Sequence, residues 1–173
     1  MQPPASRACV LFVSFLASAV LAVGASGALA QSSPTTMAKQ TITLDGANAI
    51  VSAAVVHAKE MGVLEVIAVY DSTGILKSLA TLDGARVTSV TFAMDKAWTS
   101  ARREAATQDL ADALASQPAI NLPSFLKQPQ LTLLGGGVPI VVNGQVVGGV
   151  GASGGSIAQD IEVANAGLAA IQH

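Results

Sequence analysis

The chain has 173 residues, 51% of them apolar and 12% charged, with nine basic and eleven acidic side chains and a formal charge of −2. That balance gives nothing like the clustered basic surface that nucleic acid requires, and aromatic residues, at 3%, are too few for a stacking cage. The single cysteine, Cys9, lies in the first thirty residues, so the remainder has neither thiol catalysis nor cysteine metal ligation, a composition suited to an oxidising compartment.

Arg7 precedes an apolar run from Ala8 to about Val23, and Ala28-Leu29-Ala30 fits the small-x-small pattern before a signal cleavage site. Residues 1–30 therefore read as a Sec-type signal peptide cut after Ala30, which predicts a periplasmic or secreted protein. The alternative is an uncleaved anchor, since the run is just long enough to span a bilayer. Cys9 precedes the apolar run instead of ending it, unlike a lipoprotein cysteine. Removing Arg7 leaves eight basic against eleven acidic residues, a net charge near −3. Residues 31–40, QSSPTTMAKQ, read as a short disordered lead-in, and 41–173 as one domain with one core. A small domain this apolar is expected to hide surface against copies of itself, as a homo-oligomer.

The first helix is predicted from about Asp45, as N-cap, to Met61, with Gly62 as the stop. Ala47, Ile50, Val51, Ala54, Val55, Ala58 and Met61 recur at helical spacing and mark its core face. Val63 to Tyr70 is apolar with one acid, Glu65, and reads as a strand; Asp71-Ser72-Thr73-Gly74 turns it into a partner over Ile75 to Leu82. A second helix follows from about Thr88 to Arg103. Its Ser89, Phe92, Lys96, Thr99 and Arg103 share one face, and Val90, Ala93, Ala97 and Ala101 another. Asp109 to Ser116 reads as a short third helix capped by Thr107, and 117–129, with three prolines, as an ordered loop or lid.

Nine of the sixteen glycines fall between Gly135 and Gly155. The segment 131–160 reads as strand, glycine loop, strand, hairpin, strand and helix. Asn143-Gly144 supplies the two positive φ values that a tight hairpin needs, and Ser156 with Gln159 forms a capping box. The whole predicts an α+β domain with a mainly antiparallel sheet of about five strands and helices packed on it.

Bare amides at Gly154, Gly155 and Ser156, at a helix N-terminus, suit a carboxylate or phosphate. Lys96, on a stripe with Thr99 and Arg103, either offers charge to such a ligand or pairs with Asp95 or Asp160 at a subunit contact. His57 lies beside the apolar face of the first helix, where a lone histidine is more often a surface or interface residue than a metal ligand. Tyr70 and Met94 are conceivable iron ligands that suit a core equally. There is no Walker loop and no HExxH. The G-x-G-x-x-G that begins at Gly149 lacks its βαβ context, and no histidine is placed to activate Ser153.

Asp95-Lys96-Ala97 with Thr99, Gly135-Gly136-Gly137-Val138-Pro139, Gly144-Gln145-Val146-Val147-Gly148, and Gly151-Ala152-Ser153-Gly154-Gly155 with Gln159-Asp160 resemble the GlcG/HbpS-type haem-binding family. Thr43-Leu44, Met61-Gly62-Val63 and Ala68-Val69-Tyr70-Asp71 with Gly74 extend the resemblance to about residues 41–171. It implies an α/β sandwich with an antiparallel sheet, an oligomer, and in the exported branch a haem ligand and sometimes iron. Other members are encoded with glycolate or diol-utilisation enzymes, and some are haem-degrading. The resemblance implies haem against the sheet and glycine loops (Gly135, Gly136, Gly137, Ser153, Gly154, Gly155, Ser156), with Lys96, Arg103 or the amides of 154–156 on the propionates. Thr99, Tyr70 or His57 would then reach the iron. Two other functions stay open: a binding protein or accessory enzyme for a small glycolate-like acid, cradled by Lys96 and Ser153-Gly154-Gly155, and a structural oligomerisation module. A binding protein is favoured over a catalyst.

Overall fold

A computed structural model describes residues 36–116 and 128–172. The expected signal peptide and nearly all of the proline-rich segment 117–129 lie outside these described residues.

Thr43 opens the first helix, α1 (Leu44–Glu60), by accepting a hydrogen bond from Gly46 N at 3.1 Å. The cap is thus Thr43 and not Asp45, which sits in the first turn where its charge meets the helix dipole. Gly62, at φ 68°, ends the helix as expected. Ala47, Ile50, Val51, Ala54 and Ala58 are buried, so the 3.6-residue period does put one face in the core.

The sheet has four antiparallel strands in the order β2-β1-β4-β3: β1 (Val66–Asp71), β2 (Leu76–Thr81), β3 (Gly137–Val142) and β4 (Gln145–Ser153). β1 is central and wholly buried, and its alternation serves two cores. Ile67 and Val69 face α1 and the last helix, α4 (Ile157–Ala169); Val66, Ala68 and Tyr70 face α2 (Val87–Arg103). The expected α+β sandwich is therefore observed, with four strands among the described residues. Leu131–Leu134, expected as a fifth, is irregular because its backbone is drawn elsewhere: Thr132 N donates to Thr99 Oγ1 at 3.0 Å, and Gly136 then turns at φ 112°.

Asn143 and Gly144 adopt φ 50° and 74°, and Val142 pairs with Gln145, the tight hairpin expected. Beyond it β4 carries one extra residue, Val147, between the pairs Val141–Val146 and Ile140–Gly148. Its carbonyl accepts from both Ile42 N and Ser72 N, tying the lead into α1 and the β1–β2 turn to the sheet. In that turn Asp71 Oδ1 accepts from Thr73 N, Thr73 Oγ1 and Ile75 N. Burial would raise this carboxyl, but those bonds and Lys77 hold it below its usual range.

α2 sits almost backbone to backbone on the sheet. A Cβ added to Gly151 would lie 2.3 Å from Ala93 O, one on Gly149 2.4 Å from Ala97 O, and one on Gly137 2.4 Å from Lys96 O. The helix supplies matching small residues, with Ser89, Ala93, Ala97, Ser100 and Ala101 all buried. α3 (Thr107–Ser116) is fixed beside it by Thr107, whose hydroxyl accepts from Gly137 N at 3.0 Å and so serves the sheet where a helix cap was expected. α2 covers β4, β1 and β3 and leaves the same face of the edge strand β2 open.

Gly151→Ala should destabilise the protein by about 2 kcal/mol or more, because backbone meets the new methyl and neither side can yield. Val141→Thr, on the exposed face of edge strand β3, should change it by no more than about 0.5 kcal/mol. Denaturant unfolding of the two variants tests the contrast.

Candidate functional site

The close seating of α2 carries Lys96 into the interior, where it is 2% exposed. A buried ammonium requires a counter-charge and acceptors. Lys96 Nζ donates to Asp160 Oδ2 at 2.5 Å and to Ala152 O at 2.9 Å. Asp160 is itself buried, one turn into α4, and its other oxygen accepts from Gly154 N at 3.2 Å and Gly155 N at 3.0 Å. Three donors on one side chain are what an ionised carboxylate demands. The pairing is therefore with Asp160, and it lies inside the chain.

Glu65, immediately before β1, completes the cluster. It is 0% exposed, its Oε1 accepts from Gly155 N at 3.2 Å, and Oε2 has no partner among the described groups. Burial, then the charge of Asp160 and a hydrogen bond shared with it, push the Glu65 carboxyl up to about 8, against the opposing pull of Gly155 N–H and Lys96. A carboxyl raised in this way favours its protonated form at neutral pH. Two facing carboxyl groups bond only through a proton, so a contact between Glu65 and Asp160 requires one of them to carry it. In the sequence Glu65 is the single acid in an apolar run, and that isolation is the one signal that could have marked it.

The amides expected to cradle an anion are already filled. Gly154 and Gly155 serve Asp160 and Glu65, and Ser156 N donates to Gln159 Oε1 at 2.9 Å within the capping box that opens α4. Gly136 closes over the pair, its missing Cβ position 2.7 Å from Asp160 Cβ and 3.1 Å from Lys96 Nζ, while Gly135 abuts Ile157 and Gln108. Lys96 and Ser153–Ser156 therefore brace the fold within this chain, and the cradle proposed for a small acid holds the protein's own carboxylates.

The other predicted residues do not converge. His57 lies on α1 and bonds Glu162 on α4 at 3.1 Å, with Glu60 at 3.8 Å. Thr99 is buried, donating to Gln130 O at 3.2 Å and accepting from Thr132 N. Arg103 is exposed in the last turn of α2, and Phe92 is 43% exposed, so the polar stripe turns inward only at Ser89, Lys96 and Thr99. Tyr70 lies under α2, 6% exposed; burial first, then the charge of Asp95, pushes its phenol up, so it is neutral. No group of three or more metal-ligating side chains forms among the described residues.

Apolar surface remains beside Tyr70. Register places Leu79 opposite Ala68 and Leu76 opposite Tyr70, on the face of β2 that α2 leaves open, and both leucines are more than a third exposed. Val90, Met94 and Trp98, four apart on α2, flank the core under this edge. At its end Lys39 Nζ and Arg102 Nη1 both donate to Ser72 O, at 3.1 and 3.2 Å. On the opposite face a cleft of about 280 Å³, lined by Val55, Leu64, Ala80 and Leu82 with Lys59 and Asp83, falls just short of the usual ligand-pocket range of roughly 300–1,000 Å³.

Lys96→Met should destabilise the fold by about 3–5 kcal/mol, since it strands Asp160 as an unpaired buried charge. Adding Asp160→Asn should recover part of that loss. Urea unfolding of the single and double variants tests the pair, and a single-variant cost under about 1 kcal/mol would remove its structural role.

These features have close counterparts. The family model for the haem-degrading protein HbpS-like matches residues 42–169. A 15.0 kDa protein of the dhaT-dhaS intergenic region of Citrobacter freundii is 33% identical over 128 residues, 74% of this chain and 90% of that protein. The HbpS crystal structure superposes with a TM-score of 0.73 at 31% identity, covering 80% of this chain and 96% of HbpS. The PduOC:heme complex gives 0.69 at 31% identity over 76% and 96%. The chain belongs to the HbpS-like family of haem-degrading proteins.

Proposed function

We propose that this protein binds haem, as an exported homo-oligomer. The observation that carries the reading is family membership together with 31% identity to a protein whose structure is a haem complex. The chain's own surface fits the ligand's chemistry. Haem is a flat apolar ring with two carboxylates at one edge, and the open edge of β2 offers Leu76 and Leu79 beside Tyr70, with Lys39 and Arg102 at its end. We place the porphyrin against this strip, with Tyr70, among the ligands considered, the one beside it. An iron ligand here must give up a phenol proton that burial and Asp95 hold tightly, which ferric iron can displace and a neutral pocket cannot.

One chain supplies one wall. Pockets that bury most of a ligand need a facing surface, and a second copy would provide it. The exposure of Ile75, Val87, Val56 and Leu64, each over half, supports such an assembly. Export rests on the N-terminal sequence: Arg7, the apolar run and Ala28-Leu29-Ala30. We rank a small-acid function second, because Lys96 and the Gly154 and Gly155 amides are engaged internally.

Haemin titrated into the protein should give a saturable, shifted Soret band with no more than one haem per subunit. Tyr70→Phe should shift that band and weaken binding by about tenfold, a loss of roughly 1.4 kcal/mol. A non-saturating, featureless response would overturn haem binding. A Tyr70→Phe protein with the parent spectrum and affinity would overturn the placement while leaving haem binding in force.

A further inference from the structure

Three ionisable side chains meet in the interior away from the proposed haem surface, and their charges balance only if a proton is present. We propose that Glu65, Asp160 and Lys96 form a proton-dependent clamp, in which one proton held between Glu65 and Asp160 keeps the Ser153–Ser156 turn seated on β1 and α2, and its loss releases that turn.

The turn is pressed against the chain at Glu65. A Cβ on Gly154 would lie 2.2 Å from Leu64 O and 2.9 Å from Glu65 Cα, so the two backbones touch. The Gly154 and Gly155 amides are held by Asp160 Oδ1, and Gly155 N also by Glu65 Oε1. On the other side Lys96 grips Ala152 O and Asp160 Oδ2. Ala152 N in turn donates to Gly136 O at 3.0 Å, so the glycine loop before β3 is fastened to the same cluster. One unit thus joins β1, α2, the end of β4, the start of α4 and the 135–137 loop.

With Glu65 protonated, the buried charges are one carboxylate and one ammonium. Without the proton they are two carboxylates and one ammonium, and Glu65 Oε2 has no donor among the described residues. Among the described residues no further charged group compensates. From the segment before α2, Arg86 Nη2 donates to Gly154 O at 3.1 Å, but it is exposed and screened. From α2, Asp95 faces Tyr70. From α4, Glu162 is paired with His57 of α1. Lys59 of α1 and Asp83 after β2 are exposed and line the cleft at Leu64 and Leu82. Deprotonation therefore leaves a net buried negative charge, relieved most cheaply where the backbone is least covered, at the half-buried Gly154 and Gly155.

The sign of the pH dependence follows. An unfolded Glu65 loses its proton near 4.5, whereas the folded side chain holds it to about 8. Between those values the folded state binds more protons, so stability falls as pH rises through the window and levels off above it. This is opposite to the behaviour of Asp71, whose lowered carboxyl stabilises the fold above the acid range and is lost as pH drops.

The test needs no haem and so stands apart from the ligand assignment. The Glu65 side-chain carboxyl ¹³C shift is followed from pH 4 to 10 in the intact protein, together with hydrogen exchange of the Gly154 and Gly155 amides relative to Val150 in β4. The carboxyl should titrate on the alkaline side of neutrality. Relative protection of the two glycines should fall by about tenfold or more across that midpoint. Glu65→Gln, which donates a hydrogen bond at every pH, should keep both glycines protected throughout, whereas Glu65→Ala should expose them throughout. A Glu65 midpoint near 4.5, or protection ratios that do not change across the midpoint, would overturn the clamp. So would a folded Glu65→Gln protein unprotected at every pH; if that variant does not fold, the parent titration and exchange decide the matter alone.

Discussion

The close contact between α2 and the sheet governs the rest of this structure. Gly137, Gly149 and Gly151 have no side chains, and Ala93, Ala97 and Ser100 have short ones, so helix and strands approach until backbone meets backbone. At that distance a long side chain in the middle of the inner face of α2 is carried into the interior. Lys96 is on that face, and its burial creates the demand that Asp160 meets. Asp160 can meet it only if α4 begins where it does, which brings the Gly154 and Gly155 amides onto the same carboxylate. A second acid, Glu65, then enters a site whose one cation is already matched, and burial beside Asp160 pushes its carboxyl up. Each step follows from the one before, starting with the absence of a few Cβ atoms.

Much of this was legible in the amino-acid sequence wherever a local rule decides the outcome. Asn143-Gly144 between β-branched runs admits one tight turn, Ser156 with Gln159 one kind of helix start, and the alanine-rich period of α1 one buried face. The first cap was misread because Asp45 and Thr43 are both competent caps, and only the path of the chain selects between them. Leu131–Leu134 has a strand's composition, but its amides bond elsewhere: Thr132 N to Thr99, over thirty positions away, and Leu131 N and Leu134 N to Gln128 O and Thr132 Oγ1 close by.

The site was harder to read for the same reason. Lys96 stood out as a cation on an otherwise inward stripe, and Asp160 was one of two partners considered, yet the choice between ligand and ion pair depends on a contact across 64 positions. The glycine amides have the chemistry of an anion site, and they do bind anions, but the anions are the chain's own. Sequence alone shows the donors and not whether they are vacant. Glu65 is marked in the sequence only as a lone acid in an apolar run, and its role depends on what faces it. In this chain the glycines, Lys96 and Asp160 are joined to one another, and the haem surface we propose lies instead at the open edge of β2.

The most direct test of this division is the crystal structure of the haem-loaded protein. The account predicts that Lys96 still pairs with Asp160, that Gly154 and Gly155 still donate to Asp160 and Glu65, and that the porphyrin lies against Leu76, Leu79 and Tyr70. A propionate seated on the Gly154 and Gly155 amides, or on a Lys96 withdrawn from Asp160, would contradict it.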